Sequence, residues 1–157
     1  PTIYAVTVSD SGQITLAGEF GVMLRSVDAG ASWRILRAVD PNAATLHAIF
    51  MQSAGQGNSY AVGQKGELLT SADGGESWGR CATGTDLNFL GVSASPNGEV
   101  VISGMRVMYR STTGGLTWES IDEGDTTTDW YQAVRTEAQS GKIFAVGHSG
   151  KIIQIGS

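Results

Sequence analysis

The sequence predicts an all-β chain of the β-propeller type, with four repeated blade units of mostly four antiparallel strands, the last unit lacking its fourth strand. Three observations predict it. An octet of the form Ser-x-Asp-x-Gly-x-Ser-Trp stands at 26–33 and 71–78, with a worn copy at 111–118. A glycine closes a short β-branched or aromatic run at Gly18, Gly63, Gly104 and Gly147, a period of about 43 residues that suits four-stranded blades. No stretch carries a helical period.

The units fall at roughly 1–38, 39–82, 83–122 and 123–157, in a single repeat domain over 1–157. Each opens on a strand patterned apolar-x-small-apolar: Ile3 to Val6, Leu46 to Ile49, Phe89 to Val92 and Tyr131 to Val134. The small residues are Ala5, Ala48, Gly91 and Ala133. A small side chain at one place in four strands predicts a crowded inner strand near an axis. Turn signals follow at Asp10-Ser11-Gly12, Gly55 to Asn58, Pro96-Asn97-Gly98 and Ser140-Gly141. The second strands are the runs that end on the four closing glycines. Third strands follow after a short turn, and fourth strands start at Trp33, Trp78 and Trp118. Unit four reaches Ser157 at the place where its octet would begin.

Each octet position has a physical role. Asp28 and Asp73 can accept hydrogen bonds from backbone N–H groups one or two residues on. Gly30, Gly75 and Gly115 supply positive φ. Trp33, Trp78 and Trp118 bring a large area to bury and an indole N–H that needs an acceptor. These residues are expected to pin hairpin corners and to bind nothing. The third octet has Thr113 in place of Asp, and a hydroxyl caps such a turn more weakly.

The bulk numbers exclude some classes. Glycine is 22 of 157 residues, about twice the usual ~7%, which means many tight turns. The formal net charge is −5, which disfavours nucleic acid or an anionic membrane as main partner. Cys81 is the only cysteine, so no intrachain disulfide forms. With two histidines the supply of metal ligands is poor, and no metal or cofactor is expected. No apolar run approaches the ~20 residues of a membrane helix. No signal peptide stands at the start, so the expected compartment is cytoplasmic if the chain is complete.

The octet resembles the Asp-box, or BNR repeat, of sialidases and related propellers. The longer pattern from Gly63 to Trp78 is similar to the repeats of photosystem II stability and assembly factor-like proteins. The resemblance covers nearly the whole chain, Ile3 to Ile155. It implies a propeller whose boxes are structural corners remote from any active site. It also implies more blades than four. A sialidase-like hydrolase would need a converging arginine triad. Arg25 and Arg110 hold equivalent third-strand places and read as outward polar residues beside a turn; Arg135 is the third candidate considered for such a triad. No nucleophile-elbow pattern occurs. No catalytic set is assigned.

Antiparallel order sorts the loops. The turns between second and third strands share one face with the linkers between units; the octet corners and the first-to-second turns share the other. The first face, here the turn face, carries Phe20, Lys65, Arg106, Trp130 and His148. Residue type varies there from unit to unit, and such loops on a repeated scaffold are where binding resides. Trp130 is the one tryptophan outside an octet; Thr2, Thr45 and Asn88 hold its place elsewhere. Asp122, Glu123, Asp125 and Asp129 read as a solvated acidic linker.

The expected function is a non-enzymatic protein-binding or assembly scaffold. The alternative is a glycan-binding or glycoside-hydrolysing module. Lys151 to Ile155 is an apolar strand with an unpaired outer edge, a template for another chain. A homodimer in which two chains meet end to end and complete a larger propeller is therefore expected.

Overall fold

The computed structural model describes residues 1–156; the start of a fourth octet at Ser157 lies outside the described residues. The chain is all-β. Four antiparallel meander sheets form the blades. Blade 1 holds β1 (Ile3–Val8), β2 (Ile14–Gly18), β3 (Met23–Ser26) and β4 (Arg34–Arg37). Blade 2 holds β5 (Leu46–Phe50), β6 (Ser59–Gly63), β7 (Leu68–Ser71) and β8 (Gly79–Arg80). Blade 3 holds β9 (Phe89–Ala94), β10 (Val100–Gly104), β11 (Met108–Ser111) and β12 (Glu119–Ser120). Blade 4 has three strands, β13 (Tyr131–Thr136), β14 (Ile143–Gly147) and β15 (Ile152–Ile155), as its repeat pattern predicts. The fourth strands begin one residue after their tryptophans, and two of them are only two residues long.

The first strands do lie innermost: β1 packs on β5, β5 on β9 and β9 on β13. The crowding predicted there is real. A Cβ on Gly91 would stand 2.6 Å from Ser103 Oγ and 3.1 Å from the Ala133 Cα of the next blade. The closing glycines have a different cause. A Cβ on Gly63 would meet the Thr45 carbonyl oxygen at 1.9 Å, and the other three meet the equivalent carbonyl at 2.1–2.2 Å. That carbonyl accepts the N–H of the residue after the glycine, as Gln64 N–H does at 2.9 Å from Thr45. Each glycine thus lets the incoming linker press on its blade, where the pairing register slips by one residue.

The core lies between blades. Ala17 and Met23 meet Leu46, Ile49 and Leu69 between blades 1 and 2. Tyr60, Val62 and Leu68 meet Phe89, Val92 and Ile102 between blades 2 and 3. Met108 and Ile121 meet Tyr131, Val134, Ile143 and Ile155 between blades 3 and 4. No comparable cluster joins blade 4 to blade 1 among the described residues. The four blades form an open arc. Trp33, expected to bury a large area, is consequently 43% exposed.

Arg25 is corrected from an outward polar residue to a buried one, 3% exposed. Its Nη1 donates to Glu76 Oε1 and its Nη2 to the Gly74 carbonyl, each at 2.8 Å, so it ties blade 1 to the octet of blade 2. Arg110 pairs with Glu99 at 2.5 Å, and Arg135 donates to the Val134 carbonyl at 2.8 Å. The three arginines do not converge.

The corners also differ in detail from the expected Asx turn. Asp73 Oδ1 accepts from Glu76 N–H at 3.0 Å and from Ser77 N–H at 2.9 Å, three and four residues on. The near bonds fall to Ser71, whose Oγ accepts Gly75 N–H at 2.8 Å. A carboxylate reaches further than a hydroxyl and bridges the whole loop. The hydrogen bond from Ser77 Oγ, then that from Ser77 N–H, holds the Asp73 carboxyl well below its usual range. The Ser32 hydroxyl acts likewise on Asp28, bringing it to about 2. In blade 3, Thr113 Oγ1 still accepts Thr117 N–H at 2.9 Å, but one oxygen replaces two. The Trp78 indole N–H donates to the Gly75 carbonyl at 3.0 Å, whereas that of Trp118 is buried and finds no partner among the described residues.

Candidate functional site

Three of the corners on the turn face share one geometry. Phe20 (φ 57, ψ 28), Lys65 (φ 55, ψ 39) and Ser149 (φ 58, ψ 32) are left-handed, and each precedes a glycine of positive φ. Two successive positive-φ residues make a type I′ turn, whose twist matches a tight hairpin. The closing bonds are Val22 N–H to the Glu19 carbonyl at 3.2 Å, Glu67 to Gln64 at 3.1 Å and Lys151 to His148 at 3.3 Å. In blade 3 no glycine follows Arg106 (φ 59). There the turn is held from outside, by the Arg106 N–H to Asp129 carbonyl bond at 2.9 Å, while Val107 is buried. A left-handed conformation is uncommon for a residue with a side chain, and its persistence means the surroundings over-determine it. Phe20, Lys65 and Arg106 are thus presented outward on fixed stalks, and all three are exposed.

The linkers lie against these turns, as strand order predicts. Asp40 N–H donates to the Phe20 carbonyl at 3.0 Å, and Gly66 N–H to the Leu87 carbonyl at 2.8 Å. Asn88 Oδ1 accepts Lys65 N–H at 3.0 Å. Beside Lys65 opens a shallow recess of about 690 Å³ lined by Arg80, Cys81, Thr83, Thr85 and Asp86.

Three of the five predicted residues come together where blade 3 meets blade 4. Trp130 is 43% exposed. Its ring lies 6.1 Å from that of His148, tilted by 55°. Its backbone bridges to Met105, next to Arg106. Phe20 and Lys65 stand on their own blades, and among the described residues no hydrogen bond, ion pair or ring contact joins them to Trp130.

Under this cluster the acidic linker is not simply solvated. Asp125 and Asp129 both pair with Lys151 Nζ, the second at 2.5 Å. The Tyr131 hydroxyl donates to Asp125 at 2.5 Å. The Asp125 and then the Asp129 hydrogen bond push the Lys151 ammonium up, and the same bonds to Lys151 lower both carboxyls. Burial first, and the bond to Asp125 second, push Tyr131 up to about 12. Asp129 Oδ1 lies 3.9 Å from His148 Nδ1. Asp122 and Glu123 remain exposed. Lys151, Asn88 and Asp129 are therefore supports that the sequence reading missed. A signal existed: Lys151 stands where the other blades carry Val22, Glu67 and Val107. Among the described residues no group of three or more His, Cys, Asp or Glu side chains could hold a metal ion. Among the described residues no helix is long and apolar enough to cross a membrane.

The opposite face carries the three octet corners. A groove of about 580 Å³ runs there between blades 1 and 2, lined by Ser9, Gln13, Met51, Gln52 and Asp73. Its one arginine, Arg25, is already committed to Glu76 and the Gly74 carbonyl.

No family model matches the chain. The photosystem II assembly lipoprotein Ycf48 of Synechococcus sp. (strain CC9902) is 28% identical over 149 residues, 92% of this chain and 43% of that protein. Among solved structures, Ycf48 bound to D1 peptide matches at 20% identity with a TM-score of 0.65, over 98% of this chain and 48% of the other. Ycf48 from Cyanidioschyzon merolae matches at 19% identity with a TM-score of 0.69, over 98% and 52%. A GH74 xyloglucanase from Xanthomonas campestris matches at 19% identity with a TM-score of 0.71, over 97% of this chain and 27% of the enzyme. The chain resembles Ycf48-type and glycosidase-type propellers, and it spans about half the length or less of each.

Proposed function

We propose that the chain is a protein-binding scaffold of the assembly-factor type, built from Asp-box repeats, and that it engages a segment of another protein through its turn face. The observation that carries this reading is the exposed Trp130. It occupies a place that is polar in the other three units, its ring lies beside that of His148, and its backbone N–H donates to Asp129 Oδ1 at 2.8 Å. A rigid, half-exposed aromatic beside fixed polar groups is the composition of an interface anchor. Arg106 and Lys65 extend the surface, and Phe20 gives a second aromatic at its far end. The sequence relative and two of the structural neighbours are Ycf48 proteins, and one of those structures holds a peptide, which supports the same class of role. The octet corners are structural in this reading. Self-association through the end blades belongs to it as well.

Selection of a random peptide library on the immobilised protein tests it. Enriched peptides are expected to shift the backbone resonances of residues 104–106, 129–131 and 147–149. Enriched peptides that shift only the octet corners would contradict the reading. Turnover of a chromogenic glycoside that depends on a named acid of this chain would favour the glycosidase alternative instead.

A further inference from the structure

The turn from Ser95 to Glu99 joins β9 to β10 in blade 3. It contains Asn97-Gly98, and Asn97 is the only asparagine of the chain followed by glycine; Asn42 precedes Ala43, Asn58 precedes Ser59 and Asn88 precedes Phe89. Blade 1 makes the same turn from Ser9 to Gln13. In both, the first N–H donates to the fifth carbonyl, Ser9 to Gln13 at 2.9 Å and Ser95 to Glu99 at 2.8 Å. In both, a glycine N–H donates back to the first carbonyl, Gly12 to Ser9 at 2.9 Å and Gly98 to Ser95 at 3.0 Å. The two turns differ in what accepts the last N–H. In blade 1 Ser9 Oγ accepts the Gln13 N–H at 3.1 Å. In blade 3 Asn97 Oδ1 accepts the Glu99 N–H, also at 3.1 Å, and the Ser95 hydroxyl donates to the same Oδ1. Two donors thus converge on the side-chain carbonyl oxygen of Asn97.

We propose that Asn97 is a site of spontaneous covalent modification, at which the turn itself promotes loss of the side-chain amide. Hydroxide takes the Gly98 amide proton, and the Gly98 nitrogen bonds to Asn97 Cγ. The bond from Cγ to the side-chain nitrogen breaks, and that nitrogen takes a proton from water and leaves as ammonia. The product is a five-membered succinimide. Water adds to one of its two carbonyls and opens it. Cleavage of the new bond leaves aspartate at position 97, and cleavage of the original peptide bond leaves isoaspartate. Attack places negative charge on Oδ1, where the Ser95 hydroxyl and the Glu99 N–H already donate, the arrangement of an oxyanion hole. The Glu99 bond also folds the side-chain amide back over the peptide unit whose nitrogen attacks it. Gly98 has no side chain to hinder the approach, and the space where a Cβ would stand is empty. Both residues are exposed, so water reaches the ring. Aspartate keeps an oxygen for the Glu99 N–H. Isoaspartate adds a methylene to the backbone of a turn closed by two backbone bonds, directly before the fully buried Val100, which pairs with Ala94. It therefore loosens this end of blade 3. The turn lies on the face opposite Trp130, so the modification is independent of the peptide site.

Ageing the folded chain in mildly alkaline buffer, followed by digestion and mass spectrometry of the four asparagine peptides, tests the proposal. Enzymatic methylation counts the isoaspartate. Asn97 should convert ahead of Asn42, Asn58 and Asn88. Ser95→Ala keeps every backbone bond of the turn and removes one donor from Oδ1, so it should slow conversion at least about threefold, a fraction of what losing an enzyme's oxyanion donor costs. Ser95→Thr keeps a hydroxyl and should restore the wild-type rate. In guanidinium chloride the turn is gone, and all three chains should convert equally fast. Conversion of another asparagine ahead of Asn97 overturns the proposal. So does an unchanged rate in folded Ser95→Ala, or a slowing that persists in guanidinium chloride.

Discussion

Met23, Leu68, Met108 and Ile152 hold one repeat position in the four blades. The first three are fully buried between blades, and Ile152 is 75% exposed at the end of the arc. Chemistry and strand register are the same, so only the presence of a following blade differs. The comparison teaches that this fold stores its stability between blades. Strand pairing within a blade orients the side chains, and burial against the neighbour supplies the free energy. A residue's type at such a position predicts that it will be covered, and its exposure marks where the arc is open.

The largest expected effect comes from changing that position in the middle and at the end. Leu68→Ala should cost about 2–5 kcal/mol, the range for emptying a packed site. Ile152→Ala should stay within about 0.5 kcal/mol for the monomer. Chemical denaturation below the association midpoint checks both. Equal losses would mean that blade 4 is covered in solution or that the middle is looser than its burial implies.

Arg25 gives the next comparison. It ties blade 1 to blade 2, whereas its counterpart Thr70 makes no such bond to blade 3. Arg25→Ala should cost about 2 kcal/mol for lost charged hydrogen bonds, and Thr70→Ala clearly less. A Glu76→Gln background should remove part of the Arg25 effect, which a double-mutant cycle reads directly.

Smaller effects belong to the corners. Ala29 has φ 56 where the other octets have Gly74 and Gly114, so Ala29→Gly should stabilise by about 1 kcal/mol, the cost of a left-handed residue with a Cβ. Asp73→Ala should lower Tm by a few degrees, and Thr113→Asp should leave it unchanged or raise it. These carboxylates also set the acid limit. The folded value for Asp28, about 2, lies below its ordinary 3.8. Its contribution is therefore complete above about pH 4 and is lost as the pH falls toward the folded value. Asp73 is lowered in the same sense and loses its contribution in the same direction. Tm measured from pH 5 downward should fall later and less steeply in Asp28→Asn than in the wild type.

Much of this was legible in the residues. Gly18, Gly63, Gly104 and Gly147 marked the strand ends because a carbonyl presses on each, and the octets marked the corners. The small residues Ala5, Ala48, Gly91 and Ala133 marked the inner strands. Arg25 was not legible, because alternation along a strand normally assigns one face to solvent. In a propeller both faces of a middle blade are covered, so a polar residue beside a turn can be an inter-blade tie. The pairing of Asp125 and Asp129 with Lys151 was hidden for a similar reason. Asp125 and Lys151 are 26 residues apart, and only the returning turn brings them together. The cluster of Trp130 with His148 was half legible: both were placed on one face, but their contact depends on the bridge between Trp130 and Met105.

The central claim is that the turn face, through Trp130, binds a protein segment, while the octet corners only hold the fold. Titration of one selected peptide into wild type, Trp130→Ala and Asp73→Ala by calorimetry at fixed temperature tests it most directly. The account predicts that Trp130→Ala weakens binding about tenfold or more with Tm nearly unchanged, and that Asp73→Ala lowers Tm and leaves affinity intact. The reverse pattern, affinity lost in Asp73→Ala and kept in Trp130→Ala, would contradict it.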